Sequence, residues 1–455
     1  MWELFLLILA GGTVTWRILL RDQRRRLEAW DRAATLCGLR KEASSTDWAW
    51  QLKFPSRVGS MAVRIEEIRG REGGSRIVIG VPERPGFPKV KIRREQQQET
   101  AGVREIETGD ELFDLTFSIE GPRPLVFALL DRETRRLLSS LNGRSRLEVS
   151  LGELQAEMPD SEVPRLLPLL LDVAQRFAQP TSVARRLADN AHQDAVERVR
   201  LLNLLVLISD LHREPETLEA LRHACSDPSP QIRLQAAREL GLGNRDVLLE
   251  LAEGPAEDAV SAQAVAILGQ GLPLDRARTL LGHALGRRRL ETARACLVVL
   301  GQSEDPAVID VLAKVLARER GELADASAEA LGESGSPAAE APLILALERE
   351  TPEVRVAAAK ALGHVGSAAA VTPLKEATER FPHDPELRRA TRQSIAEIQS
   401  RLPGASPGQL SLAGIEAGQL SLAQAEAGEL SFVADPAGEL SFPPGEAGQL
   451  SFNGD

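Results

Sequence analysis

A Leu-Gly pair recurs through the second half of the sequence at nearly constant spacing. The pairs begin at Leu240, Leu268, Leu300, Leu331 and Leu362, in steps of 28, 32, 31 and 31 residues. Each pair closes an alanine-rich stretch of helical periodicity, and a second amphipathic stretch follows it. A repeat of about 30 residues with two helices predicts an α-solenoid, in which each unit packs only against its neighbours.

The clearest repeats carry a conspicuous arginine near the start of the first helix. They read IRLQAARELG over 232–241 and VRVAAAKALGHVG over 354–366. We expect the glycine after each leucine to adopt the left-handed conformation that ends a helix. These units resemble HEAT repeats, in particular the short bacterial class related to phycobilin lyases, over 216–402. The resemblance implies that Arg233 and Arg355 support turns between repeats, and that the solenoid binds protein partners.

Basic residues cluster in the central repeats, where the segments 256–269 and 291–301 lack the Val-Arg pair. Two interpretations stay open for this cluster. It is either a docking site for an acidic partner or the solvated face of a turn between repeats. Under the first interpretation, the candidate partner-binding residues are Arg276, Arg278, Arg287, Arg288 and Arg289.

No constellation of catalytic or metal-binding residues is visible in the sequence. The six histidines are scattered without paired spacing, and the three cysteines form no CxxC motif. A zinc site or a disulfide framework is therefore not expected. We predict no catalytic residue, no cofactor and no metal. The alternative is an enzyme of the lyase or isomerase type, which the resemblance to phycobilin lyase repeats implies.

The N-terminal residues form an uncharged apolar run. No charge occurs over 4–16, and 17–20 adds only Arg17 to further apolar residues. About seventeen helical residues reach the lower limit for a membrane span. Five arginines between positions 17 and 26 place the C-terminal side in the cytoplasm. We predict a single-pass anchor through 4–20, which together with its basic flank makes up 1–26; the alternatives are a cleaved signal and a peripheral segment.

The region 27–158 alternates between helical and strand-like periodicity, which predicts a small α+β domain. Helices are predicted over 27–39 and 132–141. Strands are predicted over 61–65, 76–81, 89–93, 112–119, 125–127 and 146–149. Gly73-Gly74 is typical of a hairpin connection between two of these strands.

Part of this domain resembles an uncharacterised bacterial domain that follows transmembrane segments. The similar runs are GDELFDLTFSIEG, LLDRETRRLLSSL and SRLEVSLGELQAE, with matches at Asp110, Phe113, Phe117 and Gly152. That family has a helix and then an edge strand with a small-residue turn. The resemblance implies location at a membrane rather than chemistry. Asp110, Glu111 and Asp114 suit either a metal or acid/base site or a solvated turn, and the absence of a nearby histidine favours the turn.

Between this domain and the solenoid, apolar helical stretches over 159–215 predict capping helices. After residue 402 the composition changes. The sequence G-[QE]-L-S-[LF] occurs five times in 403–455, each time ten residues after the last. Few apolar residues and many Pro and Gly predict disorder. The repeat is an array of short binding motifs, an inert acidic tail or a self-stacking segment. The motif residues are Leu410, Leu412, Leu420, Leu422, Leu430, Phe432, Leu440, Phe442, Leu450 and Phe452.

Charge and composition restrict the partners. The net charge is −11, and seven acids with no base lie in 404–455. Aromatic residues make up 4% and tyrosine is absent, which argues against nucleic-acid binding. The sequence thus predicts a multidomain protein with a transmembrane helix, an α+β domain, an all-α solenoid and a disordered tail. Its predicted role is a non-enzymatic scaffold at the cell membrane that binds protein partners, with the bulk of the chain in the cytoplasm. The sequence does not predict an oligomeric state.

Overall fold

The computed structural model describes residues 21, 23–41, 53–68, 74–81, 89–94, 105–150, 152–179, 181–349 and 351–401. The chain divides into two compact units, Met1–Val299 and Leu300–Asp455. Among the described residues, no helix is both long and apolar enough to span a bilayer. The predicted anchor over 4–20 and the predicted tail over 403–455 lie outside the described residues.

An antiparallel sheet dominates the N-terminal part of the first unit. Its strands occur in the order β1-β2-β3-β4-β8-β7-β5-β6. They are β1 (Arg40–Lys41), β2 (Lys53–Val58), β3 (Met61–Ile68), β4 (Gly74–Gly80), β5 (Lys91–Arg94), β6 (Phe117–Glu120), β7 (Arg146–Ser150) and β8 (Glu153–Met158). In β3, Met61, Val63 and Ile65 are buried while the intervening residues are exposed, as the alternating pattern predicts.

Five helices accompany this sheet. They are α1 (23–36), α2 (Glu111–Asp114), α3 (Arg123–Leu129), α4 (Arg132–Asn142) and α5 (Val163–Ala178). The indole Nε1 of Trp30 in α1 donates a 2.6 Å hydrogen bond to Ser75 Oγ in β4, and Ser75 in turn donates to Asp160. Helix α5 shares the buried core of the sheet through Leu167, Leu170 and Phe177. The packing thus groups α5 with the sheet, whereas its sequence pattern predicts that it belongs to the capping helices.

Three expectations for this region are wrong. Residues 125–127 form the middle of α3 instead of a strand, and 112–114 belong to the short helix α2. Pro124 lies in the first turn of α3, and the residues Leu125–Leu129 are all buried, so no periodicity distinguished helix from strand. The resemblance implies an edge strand before Gly152, but β7 lies between β8 and β5.

A largely helical, solenoid-like body follows. After α6 (Val183–Gln193), paired helices alternate to the end of the described chain. In the first unit they are α7 (Glu197–Asp210), α8 (Pro215–Ala224), α9 (Pro230–Leu240), α10 (Arg245–Glu253), α11 (Asp258–Leu268) and α12 (Leu274–Gly286), followed by α13 (Leu290–Gly301). In the second unit they are α14 (Pro306–Arg318), α15 (Glu322–Glu333), α16 (Glu340–Ala346), α17 (Pro352–Val365), α18 (Val371–Arg380) and α19 (Pro385–Arg401). First helices of successive pairs contact each other, α9 with α11, α15 with α17 and α17 with α19.

The recurring glycine has two different roles. Gly241 and Gly269 have φ of 71° and 47° and end α9 and α11, as predicted. Gly332 and Gly363 instead lie inside α15 and α17. A Cβ at Gly332 would lie 2.8 Å from Ala361 Cβ, and one at Gly301 would lie 2.8 Å from Ala330 Cα. In the second unit the glycine therefore permits close approach of neighbouring helices, and the helix-ending prediction is wrong there.

Candidate partner-binding site

The arginine triplet predicted to bind a partner forms the turn between α12 and α13. Arg288 N donates to Leu285 O at 3.2 Å, and Arg289 N donates to Ala284 O at 2.8 Å. This pair of bonds is the Schellman arrangement, which places Arg288 at the position that usually holds a left-handed glycine. Arg288 has a φ of 58°, and it is the only residue other than glycine with a positive φ in the described part of the chain.

Arg287 and Arg288 are both exposed. Neither has an ion-pair partner within the described part of the chain. Arg294, one turn into α13, and His283, near the end of α12, flank the turn and are also exposed. The turn therefore presents uncompensated positive charge to solvent, which is the property that attracts an acidic surface.

Arg289 is held by the neighbouring repeat instead. Its guanidinium donates to Ala256 O at 2.6 Å and to Ser261 Oγ at 2.7 Å. Its Nε lies 3.7 Å from Asp258 Oδ1. The Asp258 carboxylate also accepts hydrogen bonds from the backbone N–H groups of Glu291 and Thr292, both at 3.0 Å. Arg289 and Asp258 together fix the turn and the start of α13 against α11.

These contacts change the ionisation of Asp258. Burial acts to raise the pKa of its carboxyl group, but hydrogen bonds from Thr292 and Glu291 and the charge of Arg289 together lower it. The carboxylate form is favoured because the donors surround it. A negative charge is thus kept next to Arg289.

The remaining two candidates lie on α12, away from the turn. Arg276 pairs with Glu253 at 3.1 Å, and Arg278 lies 3.6 Å from Asp275. The axial rise of a helix separates Arg276 from Arg287 by about 16 Å. The structure therefore brings Arg287 and Arg288 together and leaves Arg276 and Arg278 apart, each with its own carboxylate.

Two buried arginine–aspartate pairs connect consecutive repeats. Arg200 in α7 donates to both carboxylate oxygens of Asp227, at 2.8 and 2.9 Å, and both side chains are at most 10% exposed. Arg355 in α17 pairs with Asp384 at 3.2 Å, and its guanidinium lies 3.8 Å from the centre of the Phe381 ring. Arg200 is not among the residues predicted from the sequence, although Val199-Arg200 repeats the Val-Arg pair of the clear repeats.

The predicted turn-supporting role of Arg233 and Arg355 is confirmed. Arg233 Nη1 donates to Asp227 O at 2.8 Å and to Pro228 O at 3.3 Å. Arg355 Nη1 donates to Arg349 O at 2.9 Å. Both guanidinium groups therefore satisfy carbonyl groups of turns between helices, which would otherwise lack donors.

The acidic residues near position 110 are structural. Asp110 caps α2 and accepts from Arg135 Nε at 3.0 Å. Arg135, which is 3% exposed, also donates to both oxygens of buried Asp194 at 3.1 and 3.0 Å. Asp114 accepts from the N–H groups of Thr108 and Gly109 at 2.9 Å. The solvated turn is thus confirmed only for Glu111, which is exposed. Half-buried Asp110 instead joins the buried Arg135–Asp194 pair, which connects α4 to the segment between α6 and α7.

Two histidines that are distant in sequence meet on the surface. The rings of His192 in α6 and His223 in α8 have centroids 5.0 Å apart. Sequence spacing gave no sign of this pair, because 30 residues and a whole helix separate the two positions. No group of three or more His, Cys, Asp or Glu side chains suited to a metal ion occurs among the described residues.

A comparison with protein-family models supports helical repeats in part of the chain. Residues 319–396, from the start of α15 into α19, match the family model for HEAT repeats. No curated protein matches the chain significantly. Among solved structures, human deoxyhypusine hydroxylase in complex with glycerol is similar at 16% identity, over 48% of this chain and 96% of that chain, with a TM-score of 0.20.

Proposed function

We propose that this chain is a non-enzymatic scaffold that binds an acidic protein partner through the exposed turn between α12 and α13. HEAT repeats at 319–396 support this class of function, because stacked helical repeats offer extended surfaces for protein partners. The exposed cations of the turn support the location. Complementary charge at such a surface increases the rate and specificity of association.

The conformation of Arg288 is the observation that carries the proposal. A left-handed backbone costs a non-glycine residue about 1–2 kcal/mol. Glycine occupies the positive-φ position after α9 and α11, but a long cationic side chain occupies it after α12. Strain that is retained in this way marks positions where the side chain itself is needed. The exposed Arg288 side chain makes no ion pair in the described structure, so its charge is available to an acidic partner.

The test separates stability from binding. Arg288→Gly relieves the backbone strain, so the α12–α13 turn should become more stable by up to about 1 kcal/mol. Partner capture should fall in the same variant, because the cation is lost. Stability is measured by amide hydrogen exchange over 274–299 of the full-length chain, and capture by quantitative proximity labelling in cells.

A matched pair of double variants controls for net charge. Arg287→Gln with Arg288→Gln removes two charges from the turn. Arg222→Gln with Arg238→Gln removes two exposed charges from α8 and α9. The first variant should lose specific neighbours, and the second should keep them. Identical neighbours in both variants would contradict the proposal.

The proposal includes a membrane anchor through residues 4–20, with the bulk of the chain in the cytoplasm. Its support is the uncharged run over 4–16 and the arginines that follow it. The full-length chain should remain with membranes during alkaline extraction, and a variant with Leu6→Arg and Leu7→Arg should be released. A reporter fused after residue 30 should be active on the cytoplasmic side, and activity on the opposite side would contradict this topology.

A further inference from the structure

A small apolar pocket lies between α14 and α16, the second helices of two consecutive pairs. Its volume is 290 Å³, which is at the low end for a ligand site and suits a side chain or two. Apolar side chains make up most of its lining: Ala313, Leu316, Ala317, Pro342, Leu345 and Ala346. All of them belong to the second unit.

Leu345 is the unusual member of this lining. Its surface is 69% exposed, whereas Leu316 and Ala346 beside it are buried. A single exposed leucine is ordinary on a protein surface. An exposed leucine on the wall of an apolar pocket is different, because an apolar ligand that fills the pocket can cover the leucine as well.

Two cations border the pocket. Lys314 pairs with Asp310 at 2.5 Å. Arg349 donates to Ala317 O and Glu319 O, both at 2.7 Å, where α14 ends. Arg349 has no carboxylate partner within the described residues of the second unit. The rim therefore keeps a net positive charge, and it favours an apolar ligand that carries a carboxylate.

The tail of the same chain has this chemistry. Residues 404–455 carry seven acids and no base, and the five G-[QE]-L-S-[LF] motifs place an acid directly before the leucine at Glu429 and Glu439. In an extended strand, Leu430 and Phe432 point to the same face about 7 Å apart. The spacing thus presents two apolar side chains together, with a carboxylate beside them.

Chain length permits the contact. Helix α19 ends at Arg401, and the 29 residues to Leu430 can span at most about 100 Å. A folded unit of about 100 residues has a radius of gyration near 13 Å. The first motif begins at Gly408, only seven residues after the end of α19, and the later motifs can reach any surface of the second unit.

We propose that a G-[QE]-L-S-[LF] motif of the tail docks intramolecularly in the pocket between α14 and α16. Leu430 enters the pocket, Phe432 covers Leu345, and Glu429 lies by Lys314 and Arg349. Five copies raise the effective concentration for a single pocket. This inference does not depend on the arginine turn, and it gives the repeated tail motifs a binding site on the helical repeats of the same chain.

Site-specific photo-crosslinking of the full-length chain tests the proposal. The photoreactive residue p-benzoylphenylalanine replaces Phe432, and mass spectrometry locates the crosslinks. Most crosslinked peptides should join position 432 to residues 313–349. Leu345→Glu should lower their yield at least fivefold, and Lys314→Glu should lower it severalfold. Crosslinks that map elsewhere, or a yield unchanged by Leu345→Glu, would overturn the proposal.

Matched controls separate the alternatives. Leu218→Glu changes another exposed leucine on a second helix, 44% exposed in α8, and should leave the yield unchanged. Because Leu345 is exposed, Leu345→Glu should keep the circular dichroism and melting temperature of the parent. Crosslinks between isotopically heavy and light chains would overturn the intramolecular contact in favour of a second copy. Replacing Arg287 and Arg288 by glutamine should leave the yield unchanged, so failure of either proposal is recognised separately.

Discussion

Replacing Gly332 by alanine tests whether the recurring glycine of the second unit exists for helix contact. Gly332 lies within α15, and a Cβ there would be 2.8 Å from Ala361 Cβ and 2.9 Å from Ala361 Cα in α17. Carbon atoms in contact normally stay about 3.5–4.0 Å apart. The two helices must therefore separate by roughly 0.7–1 Å to accept one methyl group.

The expected cost follows from two opposed effects. Overpacking of a tight contact costs about 1–3 kcal/mol. The upper half of this range applies, because the obstructing atoms belong to the backbone and the Cβ of Ala361 and cannot rotate away. Alanine offsets about 1 kcal/mol through its higher helix propensity. The net destabilisation of Gly332→Ala is therefore about 1–2 kcal/mol.

Hydrogen exchange measured on the full-length chain shows whether α15 and α17 themselves are destabilised. Amides of α15 and α17 should exchange about 5–30 times faster in Gly332→Ala. Gly282→Ala is the matched control, because Gly282 lies inside α12 with no atom within 4 Å of an added Cβ. Exchange within α12 should become slower in Gly282→Ala, because alanine stabilises the helix by about 1 kcal/mol relative to glycine. Equal or slower exchange of α15 and α17 in Gly332→Ala would refute the packing role.

Three further predictions concern charge and burial. Burial, and after it repulsion from neighbouring glutamates, raises the pKa of Asp325. The ionised carboxylate therefore destabilises the fold at pH 7, and Asp325→Asn should raise the melting temperature there. This gain should be lost as the pH falls from the raised folded-state pKa to below about 3.9, the unfolded value. Arg200→Ala leaves Asp227 buried without its partner and should cost about 3–5 kcal/mol, whereas Arg185→Ala at an exposed pair should cost below about 1 kcal/mol; similar melting temperatures for the two variants would contradict this. Burial raises the pKa of Cys296 to about 12, so iodoacetamide should alkylate the two partly exposed cysteines first, and early modification of Cys296 would be the contrary result.

The sequence predicts the helices of the repeats well because their signal is local. Arg233–Leu240 and Arg355–Leu362 lie within α9 and α17, where capping residues, proline and periodicity agree. The Leu-Gly pair is also local, but its role depends on the neighbouring helix. Whether an alanine lies 2.8 Å away is decided by packing, so the pair predicts the repeat without distinguishing a helix end from a helix contact.

The candidate site shows a similar division. The sequence composition predicts the arginine cluster, but the structure shows that its members make different contacts. Arg289 binds carbonyl groups of the preceding turn, and Arg276 pairs with Glu253. Those partners lie 23–33 residues earlier in the sequence, so no local pattern reveals them. Of the five candidate residues, only Arg287 and Arg288 combine exposure with the absence of an ion pair among the described residues.

The contacts of Arg289 explain why the strain falls on Arg288. Hydrogen bonds to the preceding repeat fix Arg289, and this fixes the register in which α12 ends. Gly286 lies two residues too early to occupy the left-handed position, so Arg288 must adopt it. Arg289 is thus a positioning residue that presents the two exposed arginines without reaching a partner. Arg289→Leu should therefore speed hydrogen exchange over 284–293 and reduce partner capture by the full-length chain. Faster exchange with undiminished capture would mean that the turn geometry does not matter for binding, and that charge alone does.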